Sequence, residues 1–260
     1  MNARDALAEV ERRLAAAGIE TPRVDAELLV AHVLGTTRSG VYAQLDREVD
    51  GAWEPLLVRR EAREPLAYVL GEWGFRRLTL KTDARALVPR PETEILVERA
   101  LALLEGATAP RVLDIGVGSG AIALALADER PDAHVVGVDI SQAPLSLARE
   151  NAERLGLEVE LREGGVETAA DGWDLVVSNP PYVDTLEGLQ PELGYEPEAA
   201  LVGTGFHERI ARTARTRALV LEVGAGQADE VAALIAAAGY STVTVSRDLA
   251  GVERVVEGVR

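Results

Sequence analysis

The chain has 260 residues, of which 47% are hydrophobic, so it can form the core of one large or two modest domains and is not a disordered chain. It contains no cysteine, which excludes disulfides, thiolate nucleophiles and cysteine-ligated metal sites. The net charge is −16, and residues 81–260 carry −14 of it, which counts against a nucleic-acid substrate because like charges repel at long range.

No metal, membrane or export signal is apparent in the sequence. The three histidines, His32, His134 and His207, lie far apart and lack the spacing of metal ligands. The N-terminus does not resemble a signal peptide, and no apolar run approaches the ~18 residues of a transmembrane helix. We therefore expect a cytoplasmic protein without a metal or membrane contact, and we expect a monomer.

The first 70 residues show the pattern of short helices. Asn2 is placed to cap a helix that ends before Gly18. Thr21 and Pro22 predict the N-cap and first residue of a second helix, which Gly35 ends. Shorter helical patterns follow at residues 39–44 and 52–63. This segment predicts a helical-bundle domain, residues 1–70, without catalytic chemistry of its own.

The composition changes after residue 70. Aromatic residues and glycines, with the alternation Leu78-Thr79-Leu80, predict a β-hairpin linker over residues 71–90. A helix is predicted from Pro91 to Leu104, and strands then alternate with helices through residue 260, which is typical of a parallel sheet wrapped by helices. Seven strands are predicted, at residues 111–114, 134–139, 159–162, 174–178, 218–222, 242–246 and 254–259.

A glycine-rich turn follows the first of these strands. Gly116, Gly118 and Gly120 would let the backbone turn tightly and approach a ligand closely. The second strand ends at Asp139, whose carboxylate could accept both hydroxyls of a ribose. The pattern suits a dinucleotide or S-adenosylmethionine. Asp114, just before the turn, favours S-adenosylmethionine, since its carboxylate would repel a pyrophosphate and attract a sulfonium.

The fourth strand ends in a polar tetrapeptide, Asn179-Pro180-Pro181-Tyr182. Neither proline can donate to a sheet, and a residue before proline is biased to an extended backbone. The Asn179 side chain and the Pro180 carbonyl would therefore present two acceptors beside the aromatic ring of Tyr182. This arrangement suits a planar substrate that carries an NH2 group.

With these motifs the chain resembles the class I S-adenosylmethionine-dependent methyltransferases, and specifically the protein-(glutamine-N5) methyltransferases that modify peptide chain release factors. The similarity extends over nearly the whole chain and is carried by residues 65–71 (PLAYVLG), 88–94 (VPRPETE), 113–122 (LDIGVGSGAI), 178–182 (SNPPY) and 196–201 (EPEAAL). It implies an α/β fold, a Rossmann-like seven-stranded methyltransferase domain over residues 91–260, preceded by a substrate-docking helical domain and the hairpin linker.

The resemblance also implies a reaction and a set of site residues. The methyl group would pass from S-adenosylmethionine, leaving S-adenosylhomocysteine, to the amide N5 of the glutamine in a release factor's Gly-Gly-Gln loop. The residues implied to bind the cofactor are Asp114, Gly116, Val117, Gly118, Ser119, Gly120, Asp139, Ile140, Glu163, Gly164 and Asn179. The residues implied to be catalytic are Asn179, Pro180, Pro181 and Tyr182.

The chain departs from the family pattern at two places. Glu163-Gly164 stands where many relatives have Asp-Trp, so the aromatic platform for adenine is absent. Residues 202–206 (VGTGF) replace a Gly-Gly-x-Asp-Gly turn. We expect weaker cofactor affinity and retained activity.

Three alternative functions are compatible with these motifs, and each predicts a different experimental behaviour. A methyltransferase acting on an exocyclic amino group of RNA or DNA would be retained on nucleic acid with a steep salt dependence. A sister enzyme that methylates a ribosomal-protein glutamine would share the chemistry and differ in docking. A non-catalytic module would bind S-adenosylmethionine and transfer nothing.

Overall fold

The computed structural model describes all 260 residues, which divide into two compact units. The N-terminal unit comprises Met1–Glu72 together with Gln190–Tyr195, and the C-terminal unit comprises Trp73–Leu189 and Glu196–Arg260. Residues 190–195 fall within the expected methyltransferase domain, residues 91–260, but belong to the N-terminal unit by their contacts.

The N-terminal unit is helical. Its α-helices are α1 (Ala3–Ala16), α2 (Pro22–Leu34), α3 (Trp53–Glu61) and α4 (Leu66–Leu70), and its 3₁₀ helices are Ser39–Gln44 and Pro191–Tyr195. Asn2 caps α1 as predicted, accepting the Asp5 amide at 2.9 Å. Thr21 occupies the N-cap of α2, but its hydroxyl donates to the Asp25 carboxylate at 2.8 Å and caps no backbone amide.

The C-terminal unit begins with a hairpin and continues as an alternating α/β domain. Its strands are β1 (Glu72–Phe75), β2 (Leu78–Lys81), β3 (Arg111–Ile115), β4 (His134–Asp139), β5 (Glu160–Glu163), β6 (Trp173–Ser178), β7 (Thr216–Glu222), β8 (Thr242–Arg247) and β9 (Glu253–Val259). Its helices are α5 (Thr93–Leu103), α6 (Ala121–Glu129), α7 (Gln142–Leu155), α8 (Glu198–Leu201), α9 (Phe206–Thr213) and α10 (Ala228–Ala237).

The seven strands β3–β9 form one sheet in the order β5-β4-β3-β6-β7-β9-β8, which confirms the predicted Rossmann-like seven-stranded α/β architecture. The first five strands are parallel, and β9 runs antiparallel to both β7 and β8. The chain moves outward from β3 to β5 on one side and from β6 to β7 on the other. The order therefore reverses between β3 and β6, where ligands bind at the carboxyl ends of such sheets.

Apolar side chains cover both faces of the sheet. Val112 and Val177 pack with Leu124 on one face, while Leu113 and Val176 pack on the other with the residues of α9 and α10. Burial on both faces explains why the central strands are continuous apolar runs.

The structure adds short elements that the sequence analysis did not predict. These are α4, α8 and the 3₁₀ helices at Val166–Asp171 and Pro191–Tyr195. The predicted helices and strands are all present, with ends that differ by up to two residues. None of the helices combines the length and the apolar composition that a bilayer crossing requires.

Candidate active site

The predicted site residues of the C-terminal unit gather at the carboxyl ends of β3, β4, β5 and β6. The pairing of β3 with β6 ends at Ile115 and Ser178, and the Ser178 hydroxyl donates to the Ile115 carbonyl at 2.7 Å. Gly116 and Asn179 directly follow this pair. The glycine turn and the Asn-Pro-Pro-Tyr tetrapeptide therefore begin side by side at the reversal point of the sheet.

The glycine turn has the conformation that its sequence predicts. Gly116, Gly118 and Gly120 all have positive φ, at 77°, 56° and 88°. A Cβ at Gly116 would enter open space, whereas one at Gly120 would lie 2.8 Å from a Leu124 methyl group. The first glycine leaves room for a ligand, and the last permits close packing of α6.

Two amides hold the turn against β4: those of Gly116 and Val117 donate to the Val138 carbonyl at 2.8 and 2.9 Å. Ser119 is buried, and its carbonyl accepts the side-chain amide of Asn151 at 2.9 Å. The turn is therefore held in place by the protein itself.

Asp139 lies at the end of β4, beside this turn. Its carboxylate accepts the Gly118 amide at 3.3 Å and the Ser141 amide at 3.0 Å, and burial raises its pKa. The next residue, Ile140, is 73% exposed, which is unusual for a large apolar side chain. A carboxylate and an apolar surface adjoining a glycine turn are the groups that a ribose and an adenine ring require.

Asp114, which was expected to attract the sulfonium of the cofactor, is completely buried. Its side chain has no exposed surface; Oδ2 accepts the Ala123 amide at 3.1 Å, and Oδ1 has no hydrogen-bond partner. Burial raises the pKa of this carboxyl to about 7. In this conformation the Asp114 carboxyl is held by α6 and presents no exposed surface to a ligand.

Glu163 and Gly164 also reach this group of residues. Glu163 pairs with Asp139 in the parallel register of β4 and β5, and the Gly164 amide donates to the Asp139 carbonyl at 3.1 Å. The Glu163 carboxylate is exposed and accepts the Gln142 side-chain amide at 2.7 Å. It therefore presents a hydrogen-bond acceptor near Ile140. Gly164 supplies no aromatic ring where many relatives have Trp.

Asn179 is partly exposed, and its Nδ2 donates to the Thr93 hydroxyl at 3.3 Å. Because the nitrogen is held by Thr93, the side-chain oxygen points away from Thr93 as an acceptor. Pro180 is buried and Pro181 partly buried. Gly203 packs against Pro181, since a Cβ there would lie 3.1 Å from the Pro181 Cβ. The departure at residues 202–206 thus supports the tetrapeptide by close packing.

Tyr182 is held at both ends. Its hydroxyl donates to Glu222 Oε1 at 3.4 Å, and its carbonyl accepts the Gln227 side chain at 3.1 Å. Gly224 lies under the ring, where a Cβ would be 3.1 Å from the Tyr182 Cδ2. Burial raises the pKa of the phenol to about 12, so Tyr182 is neutral at physiological pH.

Four further residues support the candidate site through contacts that the sequence did not predict: Arg90, Thr93, Glu196 and Glu222. Glu196 binds the Val88 amide at 2.9 Å and forms a salt bridge with Arg90, which joins the two most specific motifs of the chain. Thr93 and Glu222 contact Asn179 and Tyr182. The available signal for Glu222 was an acid at the end of an otherwise apolar strand.

Comparison with known proteins places these features in context. Two family models match the chain: the PrmC N-terminal domain over residues 5–71 and the methyltransferase small domain over residues 92–194.

Curated relatives match the chain over nearly its whole length. The release factor glutamine methyltransferase of Geobacter sulfurreducens is 42% identical over 263 residues, covering 94% of this chain and 92% of the relative. That of Deinococcus radiodurans is 41% identical over 279 residues, covering 100% and 99%.

A solved structure with a similar fold is the T. thermophilus 16S rRNA N2 G1207 methyltransferase (RsmC) in complex with AdoMet and guanosine. The TM-score is 0.52 at 20% identity, over 73% of this chain and 49% of that one. At this identity the likeness shows the fold alone.

Proposed function

The chain belongs to the family of release factor glutamine methyltransferases, and on that basis we propose that it methylates the side-chain amide N5 of the glutamine in a release factor's Gly-Gly-Gln motif. The methyl donor in this proposal is S-adenosylmethionine, and the product is S-adenosylhomocysteine. Full-length identity to relatives of that name supports the assignment. The cofactor agrees with the AdoMet complex of a protein of similar fold.

One observation in this chain carries the proposal. The tips of β3 and β6 are joined by the Ser178 hydrogen bond to Ile115, so the glycine turn and Asn179 are adjacent. A ligand in the space beside Gly116 would therefore lie next to an amide bound at Asn179. Transfer of a group between two bound molecules requires this proximity.

The residues proposed to hold the cofactor fall into three groups. The turn of Gly116, Val117, Gly118, Ser119 and Gly120 would surround the methionine part, and the buried Asp114 would act from behind the turn, where its ionised form favours positive charge. Asp139 would accept the ribose hydroxyls. Ile140, Glu163 and Gly164 would border the adenine, with Glu163 in reach of its amino group. The bound cofactor supplies an electrophilic methyl group.

The tetrapeptide is proposed to hold the glutamine. An amide nitrogen is a poor nucleophile because its lone pair is delocalised into the carbonyl. Acceptors at the Asn179 side chain and the Pro180 carbonyl would orient the NH2 group and favour the positive charge that develops on nitrogen. Tyr182 would pack on the plane of the amide. As the N–CH3 bond forms, the bond from the methyl group to the sulfonium sulfur breaks, and the amide nitrogen becomes cationic. This cationic amide is strongly acidic and loses its proton to water after transfer, so no general base need act before it.

The proposal also includes the setting of the reaction. Release factors act on translating ribosomes, so the reaction takes place in the cytoplasm. The helical N-terminal domain would dock the release factor, and the enzyme would act as a monomer without binding nucleic acid or membrane. The net charge of −14 over residues 81–260 supports a protein substrate over a nucleic acid.

Intact-mass analysis tests the proposal directly. A release factor incubated with the protein and S-adenosylmethionine is expected to gain one methyl group. The same release factor with its Gly-Gly-Gln glutamine replaced by Asn is expected to gain none. Parallel incubations with ribosomal proteins and with RNA identify the rival substrates. Methylation of one of these, with the release factor unchanged, would overturn the proposal.

A further inference from the structure

Glu222 is a buried acid beside the proposed amide site. It is the last residue of β7 and is 2% exposed. In the parallel register of β6 and β7, Leu221 pairs with Ser178, so Glu222 lies one residue beyond the pair, level with Asn179. A carboxylate is therefore placed behind the tetrapeptide, on the side away from the glycine turn.

The Glu222 carboxylate contacts Tyr182 directly and is linked to Asn179 through Thr93. Tyr182 donates its hydroxyl to Oε1 at 3.4 Å. Thr93 interacts with the same carboxylate, whose pKa it lowers, and its hydroxyl accepts the Asn179 Nδ2 at 3.3 Å. The second oxygen, Oε2, is buried without a partner.

No cation neutralises this carboxylate. Glu92 repels it and Arg254 attracts it, but Arg254 forms its salt bridge with Asp248 at 3.0 Å. On α9, the His207 Nε2 lies 2.8 Å from the backbone carbonyl of Glu222. A buried structural acid of the same unit looks different: Glu257 is 5% exposed and forms a bidentate pair with Arg99 at 2.7 and 2.8 Å.

We propose that Glu222 is a positioning residue for amide methylation, which holds Tyr182 directly and orients Asn179 through Thr93. The inference rests on the proposed function and adds a residue that does not touch the substrate. When Glu222 accepts the hydroxyl protons of Tyr182 and Thr93, Thr93 presents only its lone pairs to Asn179. The Asn179 nitrogen is then fixed toward Thr93, and its oxygen toward the substrate.

The positioning depends on the protonation of Glu222. A protonated carboxyl can itself donate to either hydroxyl, so the direction of the hydrogen bonds is no longer fixed. Burial raises the pKa of Glu222 to about 7, against its ordinary value of 4.5. The methylation rate is therefore expected to rise with pH and to show an inflection near pH 7.

Three variants separate positioning from packing. Glu222→Leu removes both hydrogen bonds and is expected to lower kcat about 10- to 100-fold, since small misplacements of a reacting group cost about that much. Glu222→Gln keeps an acceptor for both hydroxyls, and it is expected to recover most of the rate and to lose the inflection near pH 7. Thr93→Val is expected to lower kcat about tenfold, and combining it with Glu222→Leu to lower kcat no further than Glu222→Leu alone.

The control is Glu257→Gln, which removes a buried charge from the same unit away from the tetrapeptide. It should retain the pH inflection. All variants should bind S-adenosylmethionine within about threefold of wild type, which places the effect on the amide and not on the cofactor.

The outcomes are distinct. If wild type methylates the release factor and Glu222→Leu and Thr93→Val do so equally fast, the inference is overturned and the proposed function stands. An inflection that persists in Glu222→Gln and disappears in Asp114→Asn also overturns it, since the pKa of Asp114 is about 7 as well. If the wild-type protein methylates no Gly-Gly-Gln glutamine, the proposed function fails, and the inference fails with it.

Discussion

The buried acids of the N-terminal unit differ from the two buried acids that adjoin the candidate site in the C-terminal unit. In the N-terminal unit Asp25 and Glu27 are each 4% exposed, and each contacts arginine: Asp25 meets Arg60 at 2.8 Å, and Glu27 meets Arg23 and Arg38 at 2.8 and 2.5 Å. In the C-terminal unit Asp114 and Glu222 are 0% and 2% exposed, and each keeps one oxygen without a partner.

The pKa shifts follow this difference. The Tyr42 hydroxyl, with Arg38 and Arg23, lowers the pKa of Glu27, whereas burial raises the pKa of Asp114 and of Glu222 to about 7. Paired acids can be explained by folding alone. Unpaired buried acids oppose folding, so their clustering around the glycine turn and the tetrapeptide indicates a functional site.

Removing Arg60 should leave Asp25 as a buried carboxylate without a cation, as Asp114 and Glu222 are. Arg60→Ala leaves Asp25 buried and unpaired and also releases Glu192, which Arg60 binds at 2.9 Å. We expect a loss of about 3–5 kcal/mol in the free energy of unfolding, measured by urea denaturation. The exposed pair of Arg12 and Glu9 is the control, and Arg12→Ala should change the free energy of unfolding far less than Arg60→Ala. Equal effects of the two substitutions would contradict the comparison.

Removing the side-chain amide of Asn179 should slow methyl transfer and leave cofactor binding unchanged. Asn179→Ala is expected to lower the single-turnover rate about 10²- to 10³-fold, since it deletes a pre-oriented acceptor that acts on developing charge. Its affinity for S-adenosylmethionine, measured by calorimetry, should change by less than about threefold. Equal losses of rate and affinity would show that Asn179 serves the cofactor, against the role proposed here.

Neutralising an unpaired acid should change the pH dependence of stability with a defined sign. The folded-state pKa of Asp114, about 7, lies above its ordinary value of 3.8, so the folded protein holds the extra proton between these values. Its free energy of unfolding should therefore fall as the pH rises from about 4 to about 7. Asp114→Asn should remove up to about 4 kcal/mol of that fall, at about 1.4 kcal/mol per pKa unit.

The matched variant for this experiment is Glu27→Gln in the N-terminal unit. Because the pKa of Glu27 is lowered, its contribution to stability is present above its ordinary value of 4.5 and is lost on acidification. Glu27→Gln should therefore flatten only the acid limb of the stability profile. Identical profiles for the two variants would show that the contrast between the units is wrong.

The smallest expected effect concerns the space beside the glycine turn. Gly116→Ala forces alanine to a φ of 77° and should cost about 1–2 kcal/mol of stability. Gly156→Ala is a matched control, since Gly156 has a φ of 65° and also faces open space, beyond the end of α7. Only Gly116→Ala should weaken S-adenosylmethionine binding, by more than about tenfold, because its methyl group would enter the proposed cofactor space.

Local patterns were sufficient to predict much of this molecule. Apolar runs and their spacing predicted the seven strands, and the glycines predicted the turn, because both depend on neighbouring residues in the sequence. The tetrapeptide was predicted for the same reason, since each proline constrains the residue before it.

Long-range contacts could not be predicted in this way. The pairing of Arg90 with Glu196 and the hydrogen bonds of Glu222 join residues far apart in the chain. The depth of Asp114 depends on α6 packing over β3. The contacts of residues 190–195 within the N-terminal unit include those of Glu192 with Arg60 and Arg63. Sequence pattern alone carries no information on these distances.

The most direct test of the central claim is to locate the transferred methyl group. In the proposed reaction a neutral side-chain amide, held at Asn179, meets the methyl donor beside Gly116. Tandem mass spectrometry of a release factor treated with the protein and isotopically labelled S-adenosylmethionine should place the label on the side-chain nitrogen of the Gly-Gly-Gln glutamine. Label on any other residue of the release factor, or a release factor that stays unlabelled, would contradict the account.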